Sequence, residues 1–273
     1  MIEESVQKQL REHYNPDGSD LRMVQLSLLD ILVEFDRVCK TNDVNYWLDS
    51  GTLLGAVRHG GFIPWDDDLD VCMLREDYLK YRKVIKKELK SPCRLCDADL
   101  LNNNRLIYPR VINESVMVKR MNVDGSVRKD NLWLDIFPMI HGTALFARSV
   151  NKLYGRCFRR KYRVIDDGWI KHCTGVVAYP FVRMLVGVLR FVGQLVDRGN
   201  LDHDFGVGFY SKRHLCDVIP LGTVSFEGHL FPAPVDCDAY LKRLFGDYMT
   251  LPDENGRGGH EMVFDSNISL VDK

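Results

Sequence analysis

The sequence predicts an α/β (α+β) fold, a mixed sheet flanked by helices with a helical insert, and three observations carry that expectation. An apolar repeat at helical spacing comes early, short alternating segments follow between residues 44 and 137, and the composition turns basic and then apolar over 147–200. With 45% hydrophobic and 27% charged residues, the 273-residue chain can bury a full core, which excludes disordered, collagen-like and coiled-coil classes. Its formal net charge of -1 offers a polyanion no overall attraction, and no nucleic-acid partner is expected.

Each element follows in order. Leu21, Val24, Leu28, Ile31, Phe35 and Val38 share one helical face behind Asp20, a suitable N-cap, so a helix is expected over 21–41. Val44 to Leu48 reads as a short strand, Asp49-Ser50-Gly51 as a tight turn, and Thr52 to His59 as a helix that Gly60-Gly61 ends. From Trp65 to Met73, Leu69, Val71 and Met73 alternate with Asp68, Asp70 and Cys72, the pattern of a half-buried strand presenting carboxylates. A surface helix is expected over 75–89 and strands over 104–113, 116–121 and 127–137, with Asp124-Gly125 as a hairpin turn. Ala147 to Arg163 then carries seven cations and no acid and opens a helical stretch; 205–227 is strand-like, and 235–249 is helical behind Pro232-Ala233-Pro234. The expected division is a core with N-terminal helices over 1–146, a basic and apolar helical insert over 147–200, and a return to the core over 201–273.

Localisation follows from charge. Met1 to Tyr14 is charged rather than apolar, so no secretory signal is expected, and the eight scattered cysteines suit reduced thiols in the cytoplasm. Val176 to Val196 is the most apolar stretch, but it holds Arg183 and Arg190, each costing about 2.5 to 3.5 kcal/mol near a bilayer centre. A membrane span is not expected there; peripheral contact of 147–200 with the inner face of a membrane is.

The chemistry concentrates in Tyr46 to Met73. A Gly/Ser turn at a helix start supplies free backbone N–H groups, a ready phosphate cradle, and Asp66, Asp68 and Asp70 supply oxygen ligands that repel one another unless a cation neutralises them. A calcium loop does not fit, because Val71 stands where its sixth-position glycine belongs and Asp77 where its glutamate belongs. Asp135, alone in the apolar run Leu132 to Phe137, would be costly without a partner and is expected beside Asp68 and Asp70 as metal ligand or general base. Arg58 is placed to meet a pyrophosphate, with His59 beside it; Arg110 and Lys119 are weaker phosphate candidates. Cys93 and Cys96 have the spacing of half a zinc site with no second half, Gly206-x-Gly208 lacks the third glycine of a dinucleotide fingerprint, and His260-Glu261 follows a Gly-rich stretch near the end.

These residues resemble the LicD family. The matching pieces are DSGTLLGAxRHGGFIPWDDDLD at 49–70, WLDIFP at 133–138 and the FPAPVD…YL…FGDYMxLP run at 231–252. The resemblance implies a nucleotidyltransferase-like fold and transfer of a phospho-alcohol, phosphocholine from CDP-choline or another CDP-alcohol, to a hydroxyl of a cell-surface glycan or lipid-linked glycan precursor such as lipopolysaccharide or teichoic acid, releasing CMP. It places the metal-binding acids on Asp68 and Asp70, with Asp66 as an additional ligand, and the phosphate-binding turn on Ser50, Gly51 and Thr52. The implied cofactor is Mg²⁺, with Mn²⁺ as the alternative. Two other functions fit less closely: transfer of a nucleotide from CTP or ATP with pyrophosphate release, and membrane-associated binding without catalysis, which would predict a degraded acid set.

Overall fold

A computed structural model of the chain describes residues 2–96, 108–121, 126–142, 147–162, 168–205 and 213–258. Helix α1 (Glu4–Tyr14) leads into α2 (Asp20–Thr41), whose N-cap is Ser19 rather than Asp20: the Ser19 hydroxyl accepts the Arg22 N–H at 3.2 Å. The expected stripe is buried from Val24 onward, with Leu28, Ile31, Phe35 and Val38 all at 0% exposure, while Leu21 at its start is only half-buried. Then come β1 (Trp47–Leu48), α3 (Ser50–His59), β2 (Asp70–Leu74) and α4 (Arg75–Glu88), and β3 (Cys93–Cys96), β4 (Arg110–Met121) and β5 (Val127–His141). The expected hairpin turn at Asp124-Gly125 lies outside the described residues, as do Gly206, Gly208, His260 and Glu261.

The sheet runs β1-β2-β5-β4-β3, with β2 and β5 parallel and the other neighbours in that path antiparallel. A mixed sheet of this kind, with helices packed on it, agrees with the expected fold class. Two expected strands, 116–121 and part of 104–113, merge into β4, because a bulge between Asn113 and Met117 bends the strand without ending it. The strand expected from Trp65 begins only at Asp70. Upstream, the Asp66 N–H is used in a turn to the Ile63 carbonyl at 2.9 Å, so Asp66 and Asp68 lie on the loop entering β2.

The basic and apolar stretches form α5 (Ala147–Tyr162) and α6 (Gly168–Val196), which pack on each other around Phe158, Tyr179, Val182 and Val186. The chain returns through β6 (Asn200–His203) and β7 (Arg213–His214), which extend the sheet from β5, and α7 (Leu215–Val218). A separate hairpin, β8 (Gly222–Phe226) with β9 (His229–Ala233), precedes α8 (Cys237–Phe245). Its turn docks on the Gly60-Gly61 break: Glu227 accepts from Arg22 at 2.7 Å and from the Phe62 N–H at 3.0 Å. A Cβ on Gly61 would lie 2.1 Å from the Glu227 Oε1, so only glycine admits this contact. All eight cysteines are free. Cys93 and Cys96, three apart on a strand, face opposite sides of β3 and do not converge as half of a zinc site.

Candidate active site

The acids meet where α3 starts and β2 begins. Parallel pairing sets Asp70 directly beside Asp135, and antiparallel pairing sets Asp135 beside Arg110, so the three form one row across β2, β5 and β4. Side chains in one row project to one face of a sheet, which puts the two carboxylates and the guanidinium together. Asp66 and Asp68 approach the row from the loop, and both reach the start of α3. Where a Cβ on Gly51 would sit, the Asp66 Oδ2 lies 2.9 Å away and the Asp68 Oδ1 3.9 Å away. All four sequence-predicted acids therefore surround one helix start.

The turn is held open by its own chemistry. The Thr52 hydroxyl accepts the Asp70 N–H at 2.9 Å, pinning α3 to the first residue of β2. Ser50 takes a left-handed conformation, φ 47°, which a non-glycine residue adopts only where its surroundings enforce it. The first-turn N–H groups of α3 have no acceptor within the helix, and the positive end of its dipole points at the acids. Anchoring comes from α2. Gln25, fully buried, donates to the Asp66 carbonyl at 2.9 Å and to the Ile63 carbonyl at 3.4 Å, and its own oxygen accepts from Asn15 at 2.6 Å.

Electrostatics separates the carboxylates. Burial, then the neighbouring Asp68, Asp135, Asp49 and Asp66 carboxylates, pushes the Asp70 carboxyl well up from the usual carboxylate range. Burial also raises Asp135, against the Arg110 guanidinium, which hydrogen-bonds its Oδ1, and the Trp133 indole N–H, which donates to its Oδ2 at 3.1 Å. The Trp133 ring is in turn covered by two guanidinium groups, Arg110 at 4.0 Å and Arg120 at 3.9 Å from its centroid. Clustered oxygen donors, with a member whose charge is suppressed by its neighbours, fit a hard divalent cation such as Mg²⁺. A phosphate drawn to the α3 start would lie against the same carboxylates, and a cation between the two is what makes that arrangement favourable.

A second cluster lies behind the turn. Asp49, 0% exposed, accepts from Arg213 through both oxygens at 2.6 and 3.3 Å, from the Tyr240 hydroxyl at 2.5 Å and from the Cys72 thiol at 3.1 Å. Burial alone would raise this carboxyl, but the Arg213 guanidinium, His203 and the Tyr240 hydroxyl hold it down at about 2. Asp49, Cys72 and His203 bring ligand-type atoms within 4.8 Å of one another. The guanidinium already neutralises Asp49, so this cluster is a buried ion pair that braces Ser50 and β1 rather than a second cation site.

Arg58 and His59 are turned to the chain's outer segments. Arg58, 4% exposed, donates to the Tyr248 carbonyl at 2.8 Å and to the His59 Nε2 at 2.9 Å, while the His59 Nδ1 meets the Gln7 Oε1 at 2.6 Å. Burial, then the Arg58 charge, lowers His59 to about 3, so the imidazole is neutral at pH 7. Lys119 is half-buried on β4, and its neighbour Arg120 is the residue that reaches Trp133.

Sequence reasoning missed Gln25, Asp49's partners and Arg120. Gln25 carried a signal, since it is polar on the buried stripe of α2. Arg213 and Tyr240 carried none, being 164 and 191 residues from Asp49.

Gly51 offers a clean test. Its alanine variant sets a methyl 2.9 Å from the Asp66 Oδ2, and because Gln25 and Ile63 hold the Asp66 backbone, the carboxylate must turn out of the cluster to make room. Turnover is expected to fall at least about tenfold, equivalent to 1.4 kcal/mol on the barrier. The melting temperature should move by no more than a few degrees, because the contact is at a helix start rather than in the core. A wild-type rate for Gly51→Ala would place the chemistry away from this turn.

With this geometry in view, residues 43–172 match the LicD family, described as LicD/FKTN/FKRP, nucleotidyltransferase domain. Lipopolysaccharide cholinephosphotransferase LicD of Haemophilus influenzae is 28% identical over 261 residues, covering 89% of this chain and 96% of that protein. An uncharacterized protein of Rickettsia typhi is 43% identical over 60 residues, 22% of this chain and 19% of its own. Human ribitol 5-phosphate transferase FKRP is 52% identical over 40 residues, 15% of this chain and 8% of its own.

Proposed function

We propose, from the likeness to the LicD family over residues 43–172 and to a LicD cholinephosphotransferase, that the chain is a transferase that moves a phospho-alcohol group to a hydroxyl of a glycan. In the finer form of this proposal the group is phosphocholine, the donor CDP-choline or a related CDP-alcohol, the acceptor a lipid-linked glycan precursor of the lipopolysaccharide kind, and the leaving group CMP. The observation that carries it is the acid cluster around a helix start, inside a chain similar over 89% of its length to a cholinephosphotransferase.

Asp66, Asp68, Asp70 and Asp135 would hold Mg²⁺, which supplies charge stabilisation for the pyrophosphate oxygens and the departing CMP. The α3 start offers its N–H groups to a phosphate oxygen, and Gly51 lets the phosphate approach the backbone. Arg110 orients Asp135 beside Asp70 and opposes the upward push of burial on its carboxyl, and Thr52 fixes the spacing between helix and strand. Arg110 and Arg120, stacked on Trp133, are the cations next to the acids, and they are assigned the donor's remaining negative charge.

The test is ³¹P NMR of the purified protein with Mg²⁺, CDP-choline, CTP and a membrane glycolipid extract, with an EDTA control. CMP together with a new phosphodiester signal, both lost in EDTA, is the expected result. Pyrophosphate release from CTP, with CDP-choline untouched, would replace phospho-alcohol transfer by nucleotide transfer.

A further inference from the structure

Helix α6 is 29 residues long, about 43 Å, and is apolar and long enough to cross a membrane by length and composition. Its inner face is occupied: Gly175, Tyr179, Val182, Val186 and Gly193 are buried against the rest of the fold. Arg190 is bound to Asp204 at 2.8 and 2.9 Å, and Arg75, the first residue of α4, shares that carboxylate at 3.1 Å. A helix tied to the sheet in this way lies along the body of the protein and is not free to pass through a bilayer.

The outer face is the opposite of a solvated one. Val177, Phe181, Met184, Val188, Phe191 and Leu195 recur at alternating steps of four and three, each between 54% and 67% exposed. Such steps keep residues on one straight line along a helix. The line is flanked by Leu185 and Val192 on one side and by Pro180 and Gly187 on the other, and no charged residue falls within this outward half of the helix. A surface of this size on a water-facing helix marks a binding site rather than scattered apolar residues. The usual seam between two helices carries charges at its edges, which set partner and register; this one has apolar residues, a proline and a glycine there. Charge sits instead on the rest of the hairpin, where α5 and α6 together carry nine lysines and arginines and no acid, in a chain of net charge -1.

We propose that the outward face of α6 lies in the interface of an anionic phospholipid bilayer, with the helix parallel to the surface and the α5–α6 cations drawn to its headgroups. Apolar burial and attraction to acidic lipid act together in such binding, which makes it dependent on lipid charge and on salt. The proposal stands apart from the transfer reaction and needs no turnover to be read.

The experiment is flotation of the full chain with vesicles of phosphatidylcholine alone and of phosphatidylcholine mixed with phosphatidylglycerol. A Phe181→Glu/Val188→Glu variant accompanies it, with circular dichroism and melting to show that it folds. Both side chains are more than half exposed, so the fold loses little when they change. The expected result is flotation with the acidic vesicles, weaker with the neutral ones and reduced by salt, and a partition at least about a hundredfold lower for the variant. Absence of wild-type flotation on both vesicle types overturns the proposal, and so does equal flotation of the folded variant. Wild-type protein that resists alkaline carbonate extraction would be a spanning protein, and a lipid-free dimer by light scattering that the variant abolishes without any flotation would make the face a contact between copies; either result overturns it.

Discussion

Asp70→Asn is expected to abolish turnover while leaving the fold intact. Asp70 sits at the first residue of β2, beside Asp135 and with Asp68 and Asp66 close by, and its carboxyl is pushed upward because like charges crowd it. In the proposed site, replacing it by the isosteric amide removes an oxygen ligand and a share of the charge that would hold the cation. Stabilisation of a transferring phosphoryl group by a bound metal amounts to several kcal/mol, so the loss should be on the order of a thousandfold in kcat. Stability moves the other way. Without metal, one fewer charge in the cluster relieves repulsion, and the melting temperature in EDTA should stay level or rise by a few degrees. With the proposed Mg²⁺ site, added Mg²⁺ is expected to raise the melting temperature of the wild type and to leave that of the variant unchanged. Wild-type turnover by Asp70→Asn would remove the acid row from the chemistry, and a large drop in its melting temperature in EDTA would make Asp70 a structural residue.

Arg213→Met is expected to be among the most destabilising single changes in the chain. It would leave Asp49 fully buried with no cation and take one partner from the Tyr240 hydroxyl. Breaking one side of a buried ion pair costs about 3 to 5 kcal/mol, which corresponds to a fall of roughly 10 °C or more in melting temperature for a chain of this size. A pH series reads the same contact from the other partner. The folded Asp49 carboxyl is held at about 2, below its unfolded value, so the contribution is fully present above the unfolded value and is lost as pH falls through the folded one. Wild-type stability should therefore drop by about 2 kcal/mol between roughly pH 5 and pH 2 from this group. Asp49→Asn should lack that component, and identical acid-unfolding curves for the two proteins would show that Asp49 is not held by Arg213 in solution.

The two sites differ in how far the sequence announces them. Asp66, Asp68, Asp70 and Asp135 are visible because each breaks an apolar neighbourhood or crowds a like charge, and both irregularities demand a chemical reason. Gly51 is visible because a turn at a helix start needs open backbone. The expected strand at 65–73 was too long for a local reason that alternation cannot register: Gln25 takes the Asp66 and Ile63 carbonyls, and a turn replaces the ladder until Asp70. Arg58 shows the converse. Beside His59 it looks ready for phosphate, yet the fold buries it against the Tyr248 carbonyl, a contact 190 residues away.

By itself the sequence determined the mixed α/β class, the early helix with its buried stripe, the acid cluster at a helix start and the likeness to the LicD family. These are properties of spacing and local chemistry, and a periodic pattern or a crowded charge carries them within a few dozen residues. Only the tertiary structure decided that Asp70, Asp135 and Arg110 stand in one row, that Arg213 and Tyr240 brace the turn through Asp49, and that α6 turns an uncharged face outward. Strand register and helix docking are set by which apolar surfaces bury together across the whole chain, and that choice leaves no mark in the neighbourhood of any one residue.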